Sequence, residues 1–165
     1  MAQVEASVVV PVEPALAFAV SQTTGAVRYR WDPFVAEQHF LDGAVRPAKG
    51  VRTATVSWHR LDMVSEYVSY VPPSHVGMHM VTGPWFFEVF AGSWRFTPAP
   101  DGGTRAVWRY VFRCRPAWLA PLAERIGTRL LGRDIRRRIA GYARGCADPE
   151  VLAVARRELE DDAGR

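Results

Sequence analysis

The residues able to do chemistry are few and widely spaced. Over residues 63–71, strand alternation puts Ser65, Tyr67 and Ser69 on one face. A phenol there can donate a proton while a nearby hydroxyl holds a substrate oxygen, so Tyr67 and Ser69 are catalytic candidates. Glu88 is the third, set among Phe86, Phe87, Val89 and Phe90, an apolar setting in which a carboxylate can serve as a base. Alternatively, Glu88 points outward and pairs with Arg95 or Arg109. His75 and His79 share a strand face, but four residues of strand span roughly 13 Å, too far for two ligands of one zinc ion. His39 belongs either to a cavity mouth or to a wet sheet face. Cys114 and Cys146 have no metal-ligand spacing and read as free thiols of a reducing compartment, the cytoplasm. With no nucleophile elbow, phosphate-binding glycine loop or ligand cluster in the sequence, neither a metal nor an organic cofactor is expected.

The elements that must position these groups can be read from pattern. Residues 4–10 are valine-rich and alternate weakly, as a strand does, and stop at Pro11. Glu13-Pro14 opens a short helix over 15–21, since proline suits a first helical turn. A second short helix over 24–30 ends before Asp32-Pro33, because the residue preceding a proline is pushed out of the helical region. Segments 34–41, 51–58, 63–71, 75–81, 85–96 and 104–113 are rich in β-branched and aromatic residues. Turn chemistry fences them at Asp42-Gly43, Lys49-Gly50, Pro72-Pro73, Gly83-Pro84 and Asp101-Gly102-Gly103. Ala91-Gly92 interrupts the longest run and predicts a bulge or bend.

After Pro116 the pattern is helical through Gly145, with an apolar stripe of Leu131, Ile135, Ile139 and Tyr142. Leu119, Leu122, Ile126 and Leu130 form a second stripe, which predicts either burial on two sides or a break near Gly127 or Gly132. Arg133, Arg136, Arg137, Arg138 and Arg144 read as a solvated face near Glu124 and Asp134 rather than a nucleic-acid surface. Weak contact of Arg133, Arg136 and Arg137 with an anionic membrane is compatible with a carrier. A strand, two short helices, a run of strands and a long helix make an α+β protein.

The 165 residues, 48% of them hydrophobic, suffice for one packed core. We assign one ligand-binding domain to residues 1–147 and a charged, at most frayed, extension to 148–165. Lys49 is the only lysine, so the formal charge of +4 is almost entirely guanidinium. The apolar run 8–12 lacks a basic start and contains Pro11, unlike a signal peptide, and no stretch is long enough for a membrane span. Nothing in the sequence distinguishes monomer from dimer.

The Trp31-Asp32-Pro33-Phe34 turn, Glu66-Tyr67-Val68-Ser69, the Pro72-Pro73 loop, Thr82-Gly83-Pro84, and Gly102-Gly103-Thr104 with Trp108 carry a family resemblance. Over residues 3–145 the chain resembles the START-like, Bet v 1-like (SRPBCC) superfamily, in particular its polyketide cyclase/dehydrase and lipid transport branch. The resemblance implies a helix-grip fold: a curved antiparallel sheet of about seven strands around a long C-terminal helix, two short helices after the first strand, and a hydrophobic cavity between.

Alternation on the last strand puts Thr104, Ala106, Trp108, Tyr110 and Phe112 on the concave face and Arg105, Arg109 and Arg113 outside. A wall of Tyr67, Trp94, Phe96, Trp108 and Tyr110 suits a flat, partly oxygenated ligand. Ser65, Ser69, Ala106 and Gly127 leave room, while Trp31, Leu131 and Ile135 complete the expected binding set. In the cyclase branch, the resemblance implies aldol condensation and dehydration of a poly-β-ketone, with a pocket arginine and tyrosine. Two residues after Ser69, where that arginine is expected, stands Val71. Two readings follow: a cyclase/aromatase-like enzyme, or a non-catalytic carrier of a lipid, quinone or aromatic metabolite.

Overall fold

The computed structural model describes residues 1–164. Strand β1 (Ala2–Val10) is followed by helices α1 (Pro14–Gln22) and α2 (Gly25–Trp31), then by β2 (Val35–Phe40), β3 (Arg52–Ser57), β4 (Asp62–Val71), β5 (His75–Thr82), β6 (Phe87–Pro98) and β7 (Thr104–Cys114). Helices α3 (Ala120–Gly145) and α4 (Pro149–Ala163) complete the chain. One seven-stranded sheet runs in the order β1-β7-β6-β5-β4-β3-β2, and every neighbouring pair is antiparallel. It is a consecutive meander whose last strand turns back to pair with the first, and α3 lies against β1 and β7. This is the helix-grip fold.

The alternation on β7 is regular: Thr104, Ala106, Trp108, Tyr110, Phe112 and Cys114 are all buried. The inner layer is dominated by aromatic contact. Trp94 stacks on Trp108 at 4.1 Å between ring centres and on Phe96 at 5.6 Å. Tyr142 of α3 packs 4.8 Å from Trp94, and its hydroxyl donates to the Ala17 carbonyl at 2.7 Å, tying α3 to α1.

Of four register shifts in the sheet, two alter the alternation around the candidate catalytic residues. Between β4 and β5, Tyr67 pairs with Met78 and Ser69 with Gly77, so Val68 is an extra residue. The inner face therefore passes from Tyr67 to Tyr70, whose ring lies 6.0 Å from that of Tyr67, and Ser69 and Val71 turn outward. Between β6 and β7 the extra residue is Glu88. The bulge falls there and not at Ala91-Gly92, which stays in register with Val111 and Tyr110.

The C-terminal region also departs from expectation. α3 is one unbroken helix of 26 residues, because its glycines serve close packing. A Cβ at Gly127 would lie 2.8 Å from the Phe112 ring, and one at Gly141 would collide with the Trp31 carbonyl oxygen. The stripe of Leu122, Ile126 and Leu130 is not a second buried side; all three are exposed. Residues 149–163 are no frayed tail. α4 starts at a side-chain cap in which Asp148 accepts from the Glu150 backbone N–H, and it buries Val151 and Ala155 completely in a packing that includes α1.

Candidate functional site

The short helix α2 supplies Arg28 in its last turn and Asp32 at its C-terminal cap, four residues apart and therefore on one side of the helix. Arg28 Nε donates to Asp32 Oδ2 at 2.9 Å, and its Nη2 lies 2.8 Å from the same oxygen as an ion pair. Arg138 comes from α3. Its Nε donates to Asp32 Oδ1 at 3.0 Å and its Nη2 to Oδ2 at 2.7 Å, a bidentate fork. The Phe34 backbone N–H, 3.2 Å from Oδ1, supplies the last donor to this fully buried carboxylate.

The two guanidiniums reach beyond Asp32. Arg138 donates through Nη1 to Tyr110 Oη at 2.6 Å and lies between aromatic faces, 4.3 Å from the Trp108 ring centre and 4.5 Å from that of Phe34. Arg28 donates to the Ser21 carbonyl at 2.7 Å and stacks 4.1 Å over Trp31.

Burial alone would raise the Asp32 carboxyl, but Arg138 and Arg28 outweigh it and hold the group at about 2. Burial depresses Arg28 against the attraction of Asp32. For Arg138, the attraction of Asp32 and Tyr110 overcomes burial and raises the pKa, so the cation is secure. Burial also pushes the Tyr67 and Tyr110 phenols well above their ordinary value, so both are neutral donors at neutral pH. Two buried cations share one carboxylate, which leaves one positive charge in excess. Asp134, the nearest further acid on α3, is half-buried, its carboxyl is raised by burial, and it makes no ion pair with either guanidinium.

Arg28, Arg138 and Phe34 of this cluster form one wall of a cavity of about 110 Å³, with Asp32 behind them. Trp94, Trp108, Tyr110 and Tyr67 continue the wall, and Ser65, Thr53 and Thr55 face it from the β3–β4 side with Met63, Met78 and Met80. Thr53 Oγ1 is buried at this surface and is the one buried side-chain polar atom among the described residues without a hydrogen-bond partner. A second cleft of about 220 Å³ lies between α1, α4 and the rings of Phe40 and Tyr70. Gln22 and Thr24 border both spaces, and Tyr67 Oη donates to Gln22 Oε1 at 3.3 Å across the divide.

Of the residues singled out from sequence, Ser65, Tyr67, Trp94, Trp108 and Tyr110 reach the cavity. Phe96 is buried behind Trp94. Trp31 is held between α2 and α3, where its indole N–H donates to Thr23 Oγ1 at 3.0 Å. Ile135 is fully buried and Leu131 half-buried, but neither lines the cavity, and Gly127 is filled by Phe112. Ser69 is carried outward by the Val68 bulge. Glu88 is exposed, 3.9 Å from Arg113, and lies away from the cavity.

Arg28 and Arg138 are what pattern reading missed. Arg138 lies within the Ile135, Ile139 and Tyr142 stripe, so its buried side was available from helical spacing. Among the described residues no cluster of His, Cys, Asp and Glu could hold a metal ion, and no helix is long and apolar enough to cross a membrane.

Solved structures with this fold span distant sequences. A protein from Thermus thermophilus superposes with a TM-score of 0.70 at 15% identity, covering 93% of this chain and 98% of its own. A START superfamily protein from Mycobacterium smegmatis gives 0.68 at 11% identity, covering 86% and 94%. The di-domain ARO/CYC BexL from the BE-7585A biosynthetic pathway gives 0.69 at 12% identity, over 87% of this chain and 46% of that larger one. No curated protein matches the sequence. Residues 1–145, which span every strand and all of α3, match the family described as polyketide cyclase / dehydrase and lipid transport, so the chain belongs to that family.

Proposed function

We propose that the protein binds an oxygen-bearing aromatic or polyketide-like molecule in this cavity and promotes its cyclisation or dehydration. The observation that carries this reading is the uncompensated positive charge of the Arg28, Asp32 and Arg138 cluster on a cavity wall shared with two neutral phenols. An aldol closure develops negative charge on a carbonyl oxygen. A fixed guanidinium and a phenol in a water-poor site stabilise that charge without reorganising. Tyr110, which already accepts from Arg138, has its own proton available for such an oxygen, and Tyr67 supplies a second donor. The arginine that Val71 does not provide is thus contributed by the helices. Thr53 would take a further polar group of the ligand.

At about 110 Å³ the cavity is smaller than the roughly 150 Å³ that accommodates benzene in an engineered core, so it takes at most one small ring of a ligand. A longer ligand would extend past Gln22 into the adjoining cleft. The carrier reading keeps support from one observation: among the described residues no carboxylate lines the cavity, and Asp32 behind the arginines, saturated by donors, is a poor base.

Turnover of a poly-β-ketone by purified protein, followed by product mass, tests the enzyme reading. Tyr67→Phe should lower turnover about 10- to 100-fold with ligand affinity changed less than threefold. Tight ligand binding, read by tryptophan fluorescence, with no conversion of any poly-β-ketone would leave the carrier reading alone.

A further inference from the structure

The exposed side of α3 is unusual for a solvated helix. Trp118, just before its first turn, and Leu122, Ile126 and Leu130 recur every fourth residue and are 81%, 56%, 47% and 63% exposed. Arg125, Arg129, Arg133 and Arg137 recur with the same spacing, three residues behind the apolar ones, so two ridges run side by side on the outer face. None of these arginines has an ion pair among the described residues. Glu124 faces the other way, where it accepts from the Cys114 N–H. Trp85, 74% exposed, lies at the same end, because Arg115 donates from its backbone to Phe86 and from its side chain to the Trp85 carbonyl.

We infer that this face docks on an anionic bilayer surface, with Trp85, Trp118, Leu122, Ile126 and Leu130 entering the headgroup region and the arginines meeting lipid phosphates. Apolar and cationic ridges in register are what an interfacial helix needs: the rings and aliphatic chains lose water, while the long guanidinium stems reach back to the headgroups. Two exposed tryptophans strengthen the assignment, since indoles favour the membrane interface. Nucleic acid would satisfy the arginines but leave five large apolar side chains wet. A second copy would satisfy the apolar ridge but appose two rows of arginines with only the half-buried Asp134 as an acid along them. The surface is independent of any reaction in the cavity. It reaches further toward the start of α3 than the Arg133, Arg136 and Arg137 contact expected from sequence.

The test is co-sedimentation of the full chain with vesicles of phosphatidylcholine alone or with 30 mol% phosphatidylglycerol, at low and high salt. Binding to the anionic vesicles only, weakened by salt, is expected. Arg125→Gln with Arg129→Gln should weaken it about 25-fold, roughly fivefold per arginine near the surface. Trp118→Ala with Leu122→Ser should weaken it at least tenfold. These residues are exposed, so thermal unfolding should not move. Arg105→Gln, on the opposite face of the sheet, controls for net charge and should leave binding within twofold. Equal binding to both vesicles, unchanged binding by either double variant, or an equal loss in Arg105→Gln would overturn the inference. So would sedimentation equilibrium showing a dimer that Trp118→Ala with Leu122→Ser dissolves, or an oligonucleotide held more tightly than the vesicles.

Discussion

Replacing Asp32 with asparagine removes one negative charge and almost no volume, yet it should be among the most damaging changes in the protein. The carboxylate is fully buried, accepts from Arg28 Nε, Arg138 Nε and Nη2, and the Phe34 N–H, and is ion-paired with both guanidiniums. Asparagine keeps one acceptor and turns an amide group toward guanidinium donors. Both buried cations then lose their counter-charge, and breaking such a pair from one side costs about 3–5 kcal/mol. Against the roughly 5–15 kcal/mol typical of a whole domain, that is a large fraction.

Urea unfolding at neutral pH, followed by far-UV circular dichroism, measures the loss as a lower midpoint at unchanged slope. The pH dependence gives a second readout. The Asp32 carboxyl is depressed in the folded chain to about 2 from an ordinary 3.8, a difference of about 2 kcal/mol. Because the folded value is the lower one, this stability is complete above pH 3.8 and disappears as pH falls through 2. The asparagine variant should lack that component of acid sensitivity. Adding Arg138→Met to Asp32→Asn should recover part of the loss, since one unpaired buried charge is gone. A loss below about 1 kcal/mol for Asp32→Asn, or Arg138→Met equally damaging in both backgrounds, would refute the reasoning.

Two further predictions concern packing and register. Gly141→Ala drives a methyl group into the Trp31 carbonyl oxygen and should cost about 1–3 kcal/mol by thermal or urea unfolding. Val71→Arg, at a side chain that the bulge turns to solvent, should change stability by less than about 0.5 kcal/mol and leave the affinity of a cavity ligand within twofold, as measured by fluorescence titration.

Where local chemistry repeats faithfully, the sequence was a good guide. The β7 face from Thr104 to Phe112 followed strand alternation without interruption, and Trp94 and Trp108 were found by the same argument. Alternation failed at Val68 and Glu88, where one extra residue reverses the face and no glycine or proline marks the place. Arg138 was hidden for another reason. A run of arginines on a helix is usually solvated, and only Asp32, 106 residues away, makes one of them worth burying. α4 was missed because its charged surface conceals a short apolar stripe, with Val151 and Ala155 buried and Leu152 and Leu159 packed against the core.

The return of β7 to β1 also bears on synthesis. Glu5 of β1 meets Arg109 of β7 across 104 residues, so the first strand emerges with no partner in the sheet until nearly the whole meander has been made. At about 5–20 residues per second that interval is roughly 5–20 seconds. Throughout it Val4, Val8 and Val10 belong to an open edge, and the nascent chain must rely on polar neighbours such as Gln3, Glu5 and Ser7 to discourage wrong pairing. β2 through β6 can meanwhile pair hairpin by hairpin, so the last event in the sheet is the docking of its first strand.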